Sequence, residues 1–260
     1  MVDQSKMTPH FAAAAVGVTN DYMQRIEFLN NDAGVITFCL DVAHGHHVLV
    51  ERAIKSIKDK YGNGINIIAG NVATPKGYVA LSEWGADAVR VGIGGGSICS
   101  TRIQTGHGVP TFESVLTCSY EDGAAIIADG GIKTAGDIVK ALAAGADFVM
   151  LGSMLAGTDQ SPGQLFQSND GKKYKVYRGM ASVEAQQDWR GEARSLEGIS
   201  TTIPYKGCVV KVVQDLLQNV RSGLSYSGAR NITQLQAKSE FIVQSAASQV
   251  ESSTHILRGL

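Results

Sequence analysis

Six short apolar runs rich in Val, Ile and Ala recur along the first 155 residues: Phe11 to Val18, Val35 to Val42, Ile65 to Val72, Ala88 to Ile93, Ala124 to Ala128 and Phe148 to Gly152. Their starts lie 24, 30, 23, 36 and 24 residues apart. Unalternated β-branched runs predict strands buried on both faces, and that burial belongs to parallel sheets. Helices fill the intervals. The clearest starts after Thr134, a good N-cap, carries Ile138, Val139 and Leu142 on one face, and stops at Gly145; another turns Val50, Ile54 and Ile57 inward.

One repeat supports this reading. WGADAVRVGI at Trp84 to Ile93 and AGADFVMLGS at Ala144 to Ser153 share G-A-D-x-V-x-x-G at an offset of 60 residues, the length of two βα units. Such units build either a (β/α)8 barrel or an open doubly wound sheet. No G-x-G-x-x-G follows the early strands, which favours the α/β TIM barrel. A closed barrel needs eight strands, and only six are found. Two βα units at the amino-terminal side are therefore missing: either another polypeptide supplies them or the sequence is a fragment, and we expect a separately encoded piece. Residues 1–228 are assigned to the barrel, with a polar lid at about 179–207 and a closing helix after it, and residues 229–260 to a carboxyl-terminal surface arm.

Composition narrows the function. Lys+Arg 23 against Asp+Glu 24 leaves a net charge of −1, so no bulk basicity draws the chain to nucleic acid or anionic lipid. The longest apolar run, Phe11 to Val18, falls well short of the ~20 residues of a membrane span and lacks the pattern of a secretory signal. Cys39, Cys99, Cys118 and Cys208 are far apart without a CxxC, which suits a reducing, cytoplasmic setting.

Barrel chemistry sits where strands end in loops. After Ile93 comes Gly94-Gly95-Gly96-Ser97-Ile98-Cys99-Ser100-Thr101-Arg102, in which Cys99 is either a nucleophile given room by glycines or an ordinary loop thiol. The other three cysteines lie in apolar patterns and are expected in the core. Asp129-Gly130-Gly131 and Gly152-Ser153 follow the last two strands, positions where barrels often bind phosphate through backbone N–H groups, although tight turns also use glycine. Asp129 could accept from a ribose diol or cap the next helix. His44-Gly45-His46-His47 after Asp41 offers two imidazoles at zinc spacing, but His10, His107 and His255 do not fall at later strand ends to complete a site, so solvated or cofactor-contacting histidines are the better reading.

Taken together, Asp41-Val-Ala-His-Gly-His46, Ile68-Ala-Gly-Asn-Val72, Val91-Gly-Ile-Gly-Gly-Gly-Ser-Ile-Cys99 with Thr101-Arg102, Ala128-Asp-Gly-Gly-Ile132, Met150-Leu-Gly-Ser153 and Tyr177-Arg-Gly-Met180 resemble the IMP dehydrogenase and GMP reductase family, over about Phe11 to Gly228. The resemblance implies a barrel, usually tetrameric, that binds a purine nucleoside monophosphate. It makes Cys99 the nucleophile that forms a thioimidate at purine C2, and Thr101 and Glu197 the pair that handles the proton on the departing amine. It puts Ser97, Asp129, Gly130, Gly131, Gly152, Ser153, Met180, Ala181, Ser182, Arg194 and Gly198 around the nucleotide. Asp41, Val42, Ala43, Ile93 and Gly94 would lie at a nicotinamide cofactor, NADPH or NAD, and carbonyls of Gly94, Gly96 and Cys99 at potassium. The lid has no Arg-Tyr pair and only 17 positions separate Met180 from Glu197, which favours the reductase branch over the dehydrogenase; a non-catalytic nucleotide-binding remnant is the other alternative. Gly95 stands where the family commonly has proline, which predicts a looser cysteine loop.

Overall fold

The computed structural model describes residues 12–193 and 197–252, with the backbone alone at 189 and 190. All six expected strands form: β1 (Ala13–Val16), β2 (Thr37–Asp41), β3 (Asn66–Val72), β4 (Ala88–Val91), β5 (Ala125–Asp129) and β6 (Phe148–Met150). They pair in parallel in the order β1-β2-β3-β4-β5-β6. This order excludes the doubly wound alternative. A doubly wound sheet reverses its strand order at a switch point, whereas right-handed crossovers that always step the same way leave every helix on one face and the sheet curling into a barrel. Six of the eight strands of a TIM barrel are thus in place. The first part of the excursion after β6 forms a second, antiparallel sheet.

The repeated G-A-D has a structural task at the amino ends of the strands. Gly85 and Gly145 take φ of +107° and +106° to end the preceding helices, and Ala86 and Ala146 are buried beneath them. Asp87 Oδ2 then accepts the Ile67 N–H at 2.6 Å, and Asp147 Oδ2 accepts the Ile126 N–H at 2.8 Å. Each aspartate satisfies a strand amide that its own sheet neighbour leaves open, so the repeat sets the register of adjacent strands.

Helices α1 (Tyr22–Ala33), α2 (Val48–Tyr61), α3 (Pro75–Glu83), α4 (Thr101–Thr105), α5 (Thr111–Cys118) and α6 (Ala135–Ala143) lie between the strands. Helix α2 buries Val50, Ile54 and Ile57 as the sequence pattern required. Helix α6 opens on a capping box in which Thr134 and Asp137 satisfy each other's backbone N–H groups. The main core holds Phe38, Leu40, Ile54, Ile57, Ile67, Leu81 and Val89. At the far edge Phe148 and Met150 project from β6 and stay 59% and 36% exposed, since no strand lies beyond them among the described residues.

Three expectations are corrected. The segment from 157 to 207, where only a lid at about 179–207 is expected, also holds a sheet: β7 (Leu165–Gln167), β8 (Lys173–Arg178) and β9 (Ser200–Pro204) pair antiparallel, with α7 (Val183–Arg190) between the last two. Lys173, Lys175 and Arg178 in β8 and Ser200 to Thr202 in β9 keep the apolar density low and leave no clean period-2 pattern. Lys175 is buried there, its ammonium donating to the Thr158 and Ser161 carbonyls at 2.9 and 2.5 Å. Cys208, expected in the core, is exposed at the start of α8 (Val209–Tyr226). The segment read as a surface arm begins packed: α9 (Ile232–Lys238) buries Leu235 completely against a cluster with Ile138, Leu142 and Ala229. A last helix, α10 (Ala246–Glu251), is exposed for most of its length.

Truncating Leu235 to Ala should cost about 2–4 kcal/mol of stability, the range for a fully buried leucine, read as a lower urea midpoint at unchanged slope.

Candidate active site

The loop from Gly92 to Arg102 is shaped by backbone contacts that leave no room for side chains. Gly92 has φ of +140°, and a Cβ there would stand 2.0 Å from the Asp129 carbonyl oxygen. A Cβ on Gly130 would stand 2.9 Å from the Gly95 carbonyl carbon, and one on Gly95 only 2.4 Å from Thr111 Oγ1. At Gly95 this loop presses onto the one after β5, where an added side chain would meet the Thr111 hydroxyl and the Gly130 backbone.

The exposed Cys99 thiol emerges from this platform. Its S–H donates to Thr101 Oγ1 at 3.1 Å, and the Thr101 hydroxyl donates to Glu197 Oε2 at 2.9 Å. Glu197 is 96 residues away from Thr101 and is brought in by backbone pairing, with the Ser100 N–H donating to the Glu197 carbonyl at 2.9 Å and the Ile199 N–H to the Ile98 carbonyl at 3.1 Å. Cys99 and Gly198 face each other across this antiparallel bridge. A Cβ on Gly198 would lie 2.9 Å from the Ser182 nitrogen, so the glycine lets the lid's return strand lie against Ala181 and Ser182. Ser182 is buried and caps α7 by accepting the Ala185 N–H at 3.2 Å.

A second group assembles around Tyr177, which sequence reasoning quoted in a motif without giving it a role. The Tyr177 hydroxyl lies 3.2 Å from Ser97 Oγ and 3.7 Å from the Cβ position of Gly152. The Tyr177 hydroxyl thus joins Ser97 to the turn after β6. Met180 is exposed at the start of the lid. Arg194 lies outside the described residues.

A third group joins the expected Asp41 and Asp129 through a residue that sequence reasoning missed. Arg90, at 15% side-chain exposure, projects from β4 toward the inner face of the sheet and donates to Asp41 Oδ1 at 2.6 Å and to Asp129 Oδ2 at 3.0 and 2.8 Å. Asn71 Nδ2 donates to the same Asp129 oxygen at 2.7 Å and to the Gly92 carbonyl at 2.7 Å. Gly70 makes the space, because a Cβ there would stand 2.6 Å from Arg90 Cβ. Burial alone would lower the Arg90 pKa, but Asp129 and Asp41 outweigh it and raise the value. The signal was present in the repeat: Arg90 occupies the place that Met150 holds in the second copy, a charge inside a strand. Asp41 gives only one oxygen to Arg90 and its side chain is 45% exposed, so its other oxygen is presented as an acceptor. Val42 and Ala43 continue from it, and Val42 exchanges backbone hydrogen bonds with Gly70 and Asn71.

The two buried thiols contrast with Cys99. Burial pushes Cys118 up to about 11, and it raises Cys39 against the opposing pull of Arg90. Among the histidines, His47 caps α2 by accepting the Leu49 N–H at 3.1 Å, while His46 packs near Trp84 at 5.7 Å between ring centroids. A cavity of about 440 Å³ opens beside the loop among Gly94, Gly95, Arg102, Thr111, Gly130 and Lys133.

An exposed thiol in line with a hydroxyl and a carboxylate, on glycine loops at the carboxyl ends of parallel strands, can be set against known proteins. The IMP dehydrogenase / GMP reductase domain family matches residues 2–255. The chain belongs to this family. Similar curated proteins include the inosine-5'-monophosphate dehydrogenase of Nitrosopumilus maritimus, 46% identical over 257 residues, covering 93% of this chain and 53% of that protein. That of Bacillus subtilis is 46% identical over 253 residues, covering 93% and 51%. A crystal structure of GMP reductase from Trypanosoma brucei, a cysteine-to-alanine variant in complex with guanosine 5'-monophosphate, superposes with a TM-score of 0.88 at 41% identity, covering 94% of this chain and 52% of that one. The chain spans about half the length of the curated relatives it matches. The six parallel strands form part of a TIM barrel, with the site loops at their carboxyl ends. Among the described residues no helix is long and apolar enough to cross a membrane.

Two outcomes follow. Iodoacetamide on the folded protein should modify Cys99 and Cys208 and spare Cys39 and Cys118, as mapped by peptide mass spectrometry; labelling of Cys118 ahead of Cys99 would contradict the exposures. Arg90→Met leaves Asp129 as an uncompensated, largely buried charge and should cost about 3–5 kcal/mol in urea denaturation, part of which Arg90→Met with Asp129→Asn recovers.

Proposed function

We propose that this chain carries the catalytic residues of a purine-nucleotide oxidoreductase working as a GMP reductase, converting GMP and NADPH to IMP and ammonia. The observation that supports it is the hydrogen-bonded line from Cys99 Sγ through Thr101 Oγ1 to Glu197 Oε2. In this reading the thiol proton passes through Thr101 to Glu197 as sulfur adds to purine C2. Glu197 returns that proton through Thr101 to the amine, which leaves as ammonia while sulfur stays bonded to C2 in a thioimidate. C2 then takes up hydride, the C–S bond breaks with its electrons on sulfur, and IMP leaves as Cys99 takes up a proton. A bound nicotinamide cofactor supplies the hydride. The half-exposed Asp41 carboxylate suits a cofactor ribose, and Val42, Ala43, Ile93 and Gly94 would line the same cofactor.

Ser97, Tyr177, Gly152 and Ser153 would take the phosphate, Asp129, Gly130 and Gly131 the ribose, and Met180, Ala181, Ser182 and Gly198 the lid side of the nucleotide. Asp129 has the means to orient a diol because Arg90 and Asn71 fix its carboxylate. The loop carbonyls of Gly94, Gly96 and Cys99 are the neutral hard donors a potassium ion prefers, and Gly96, which accepts the Cys99 N–H at 3.1 Å, keeps a lone pair for it. We further propose a cytoplasmic homo-oligomer, a tetramer as in the resemblance.

The dehydrogenase direction is the second reading, favoured by the names of the curated relatives. The reductase is preferred because the lid sequence from Met180 to Gly207 holds no Arg-Tyr pair to activate the water a dehydrogenase needs. The purified protein, with any copurifying partner, is to be assayed with GMP plus NADPH and with IMP plus NAD. Consumption of NADPH in the first mixture is expected; reduction of NAD in the second would reverse the direction, and silence in both would leave a binding remnant. Cys99→Ala should abolish turnover, and Glu197→Gln should reduce it by about 10²–10⁴-fold, the range for a general acid–base group.

A further inference from the structure

Lys206 takes no part in the chemistry above, yet it is placed with care. It follows β9, and backbone pairing carries it to the turn after β6. The Lys206 N–H donates to the Gly157 carbonyl at 2.8 Å and the Asp159 N–H to the Gly207 carbonyl at 2.8 Å, with Thr158 and Gly207 in a parallel bridge. The Tyr205 hydroxyl donates to Asp159 Oδ1 at 2.5 Å. Gly157 has φ of +85°, and a Cβ there would stand 2.5 Å from the Pro204 carbonyl oxygen, so the two segments touch backbone to backbone.

From that anchorage the Lys206 ammonium donates to the Ser153 carbonyl at 2.8 Å and the Met154 carbonyl at 3.0 Å. The Gly152 carbonyl accepts from Leu155 and Ala156 N–H at 3.0 Å each. All three carbonyls of the turn are thereby engaged by donors of the protein. In a trans peptide the N–H points opposite to the C=O, so tethering the Ser153 carbonyl turns the Met154 N–H away from Lys206. Among the described residues neither the Ser153 nor the Met154 N–H donates to a protein acceptor. The turn itself, Leu151 to Gly157, carries no cation, and no carboxylate among the described residues forms an ion pair with Lys206.

We propose that Lys206 is a positioning residue of an anion-binding turn: by holding the Ser153 and Met154 carbonyls it aims the turn's free N–H groups at the phosphoryl group of the nucleotide and lends the turn its positive charge. Successive backbone N–H groups bind an anion only when their carbonyls are held out of the way, and an ammonium that grips those carbonyls does both tasks at once. The Tyr177 hydroxyl, close to Gly152, and Ser97 beyond it supply further polar partners at the same turn. The inference rests on the reading of Gly152 and Ser153 as phosphate contacts.

The test compares affinities for GMP and guanosine, and for IMP and inosine, by calorimetry on the full-length protein and its Lys206→Met and Lys206→Arg variants. Lys206→Met should weaken nucleotide binding about tenfold or more while changing nucleoside binding less than about twofold, with kcat at saturating nucleotide held and KM raised; Lys206→Arg, which keeps charge and donors, should restore most of the preference. A wild-type preference for the phosphorylated ligand that survives intact in Lys206→Met overturns the proposal, as does an equal loss of both ligands, which would mark a merely structural lysine. If Lys206→Met does not fold, Lys206→Gln, which keeps one donor group without charge, must still lower the nucleotide-to-nucleoside ratio. Should the wild-type protein itself not distinguish nucleotide from nucleoside, the phosphate reading fails, and Lys206 falls with it.

Discussion

Two backbone hydrogen bonds, Ser100 N–H to Glu197 and Ile199 N–H to Ile98, hold the candidate site in one piece. The thiol and its hydroxyl come from one loop, the carboxylate from a segment beyond a second sheet. No side-chain contact can substitute for this pairing, because Thr101 reaches Glu197 only while the two backbones run alongside each other. The glycines of the cysteine loop serve the same end. They allow that loop to lie on the turn after β5, so the strand carrying Cys99 has a firm floor on one side and the lid strand on the other.

Beneath this layer, Arg90 imposes order on the inner face. A guanidinium among parallel strands is costly unless fully partnered, and here two carboxylates, with an asparagine beside them, surround it at the strands' carboxyl ends. The consequence is geometric: Asp41 and Asp129, which end different strands, are referred to one common point. Whatever binds at either loop meets a carboxylate whose orientation depends on the other.

The sequence made much of this legible, and for definite reasons. Strands buried on both faces leave continuous Val and Ile runs, which is why all six were found; helix α6 announced itself through Thr134, the stripe Ile138, Val139 and Leu142, and Gly145. The grouping of Cys99, Thr101 and Glu197 came from motif resemblance, since nothing local ties residues so far apart. Three things were hidden. The antiparallel sheet has strands half exposed and polar, so its runs look like loop. Arg90 broke a repeat at one position, a signal visible only when the two copies are laid side by side. Leu235 sits in a seven-residue helix whose other apolar residues are only Ile232 and Ala237, within a Ser- and Gln-rich tail, too short a stretch to show a period.

The lid also has its two feet tied together. Strands β8 and β9 pair directly, and Gly179 N–H donates to the Ile199 carbonyl at 3.2 Å. The entropic cost of closing a loop grows with the length of free chain between its fixed points, and here that chain is no longer the whole stretch from Cys99 to Glu197 but the short span carrying α7. Fixing the Glu197 carboxylate beside Thr101 therefore draws on a small, already tethered segment, and the sheet beneath it has met most of that expense during folding.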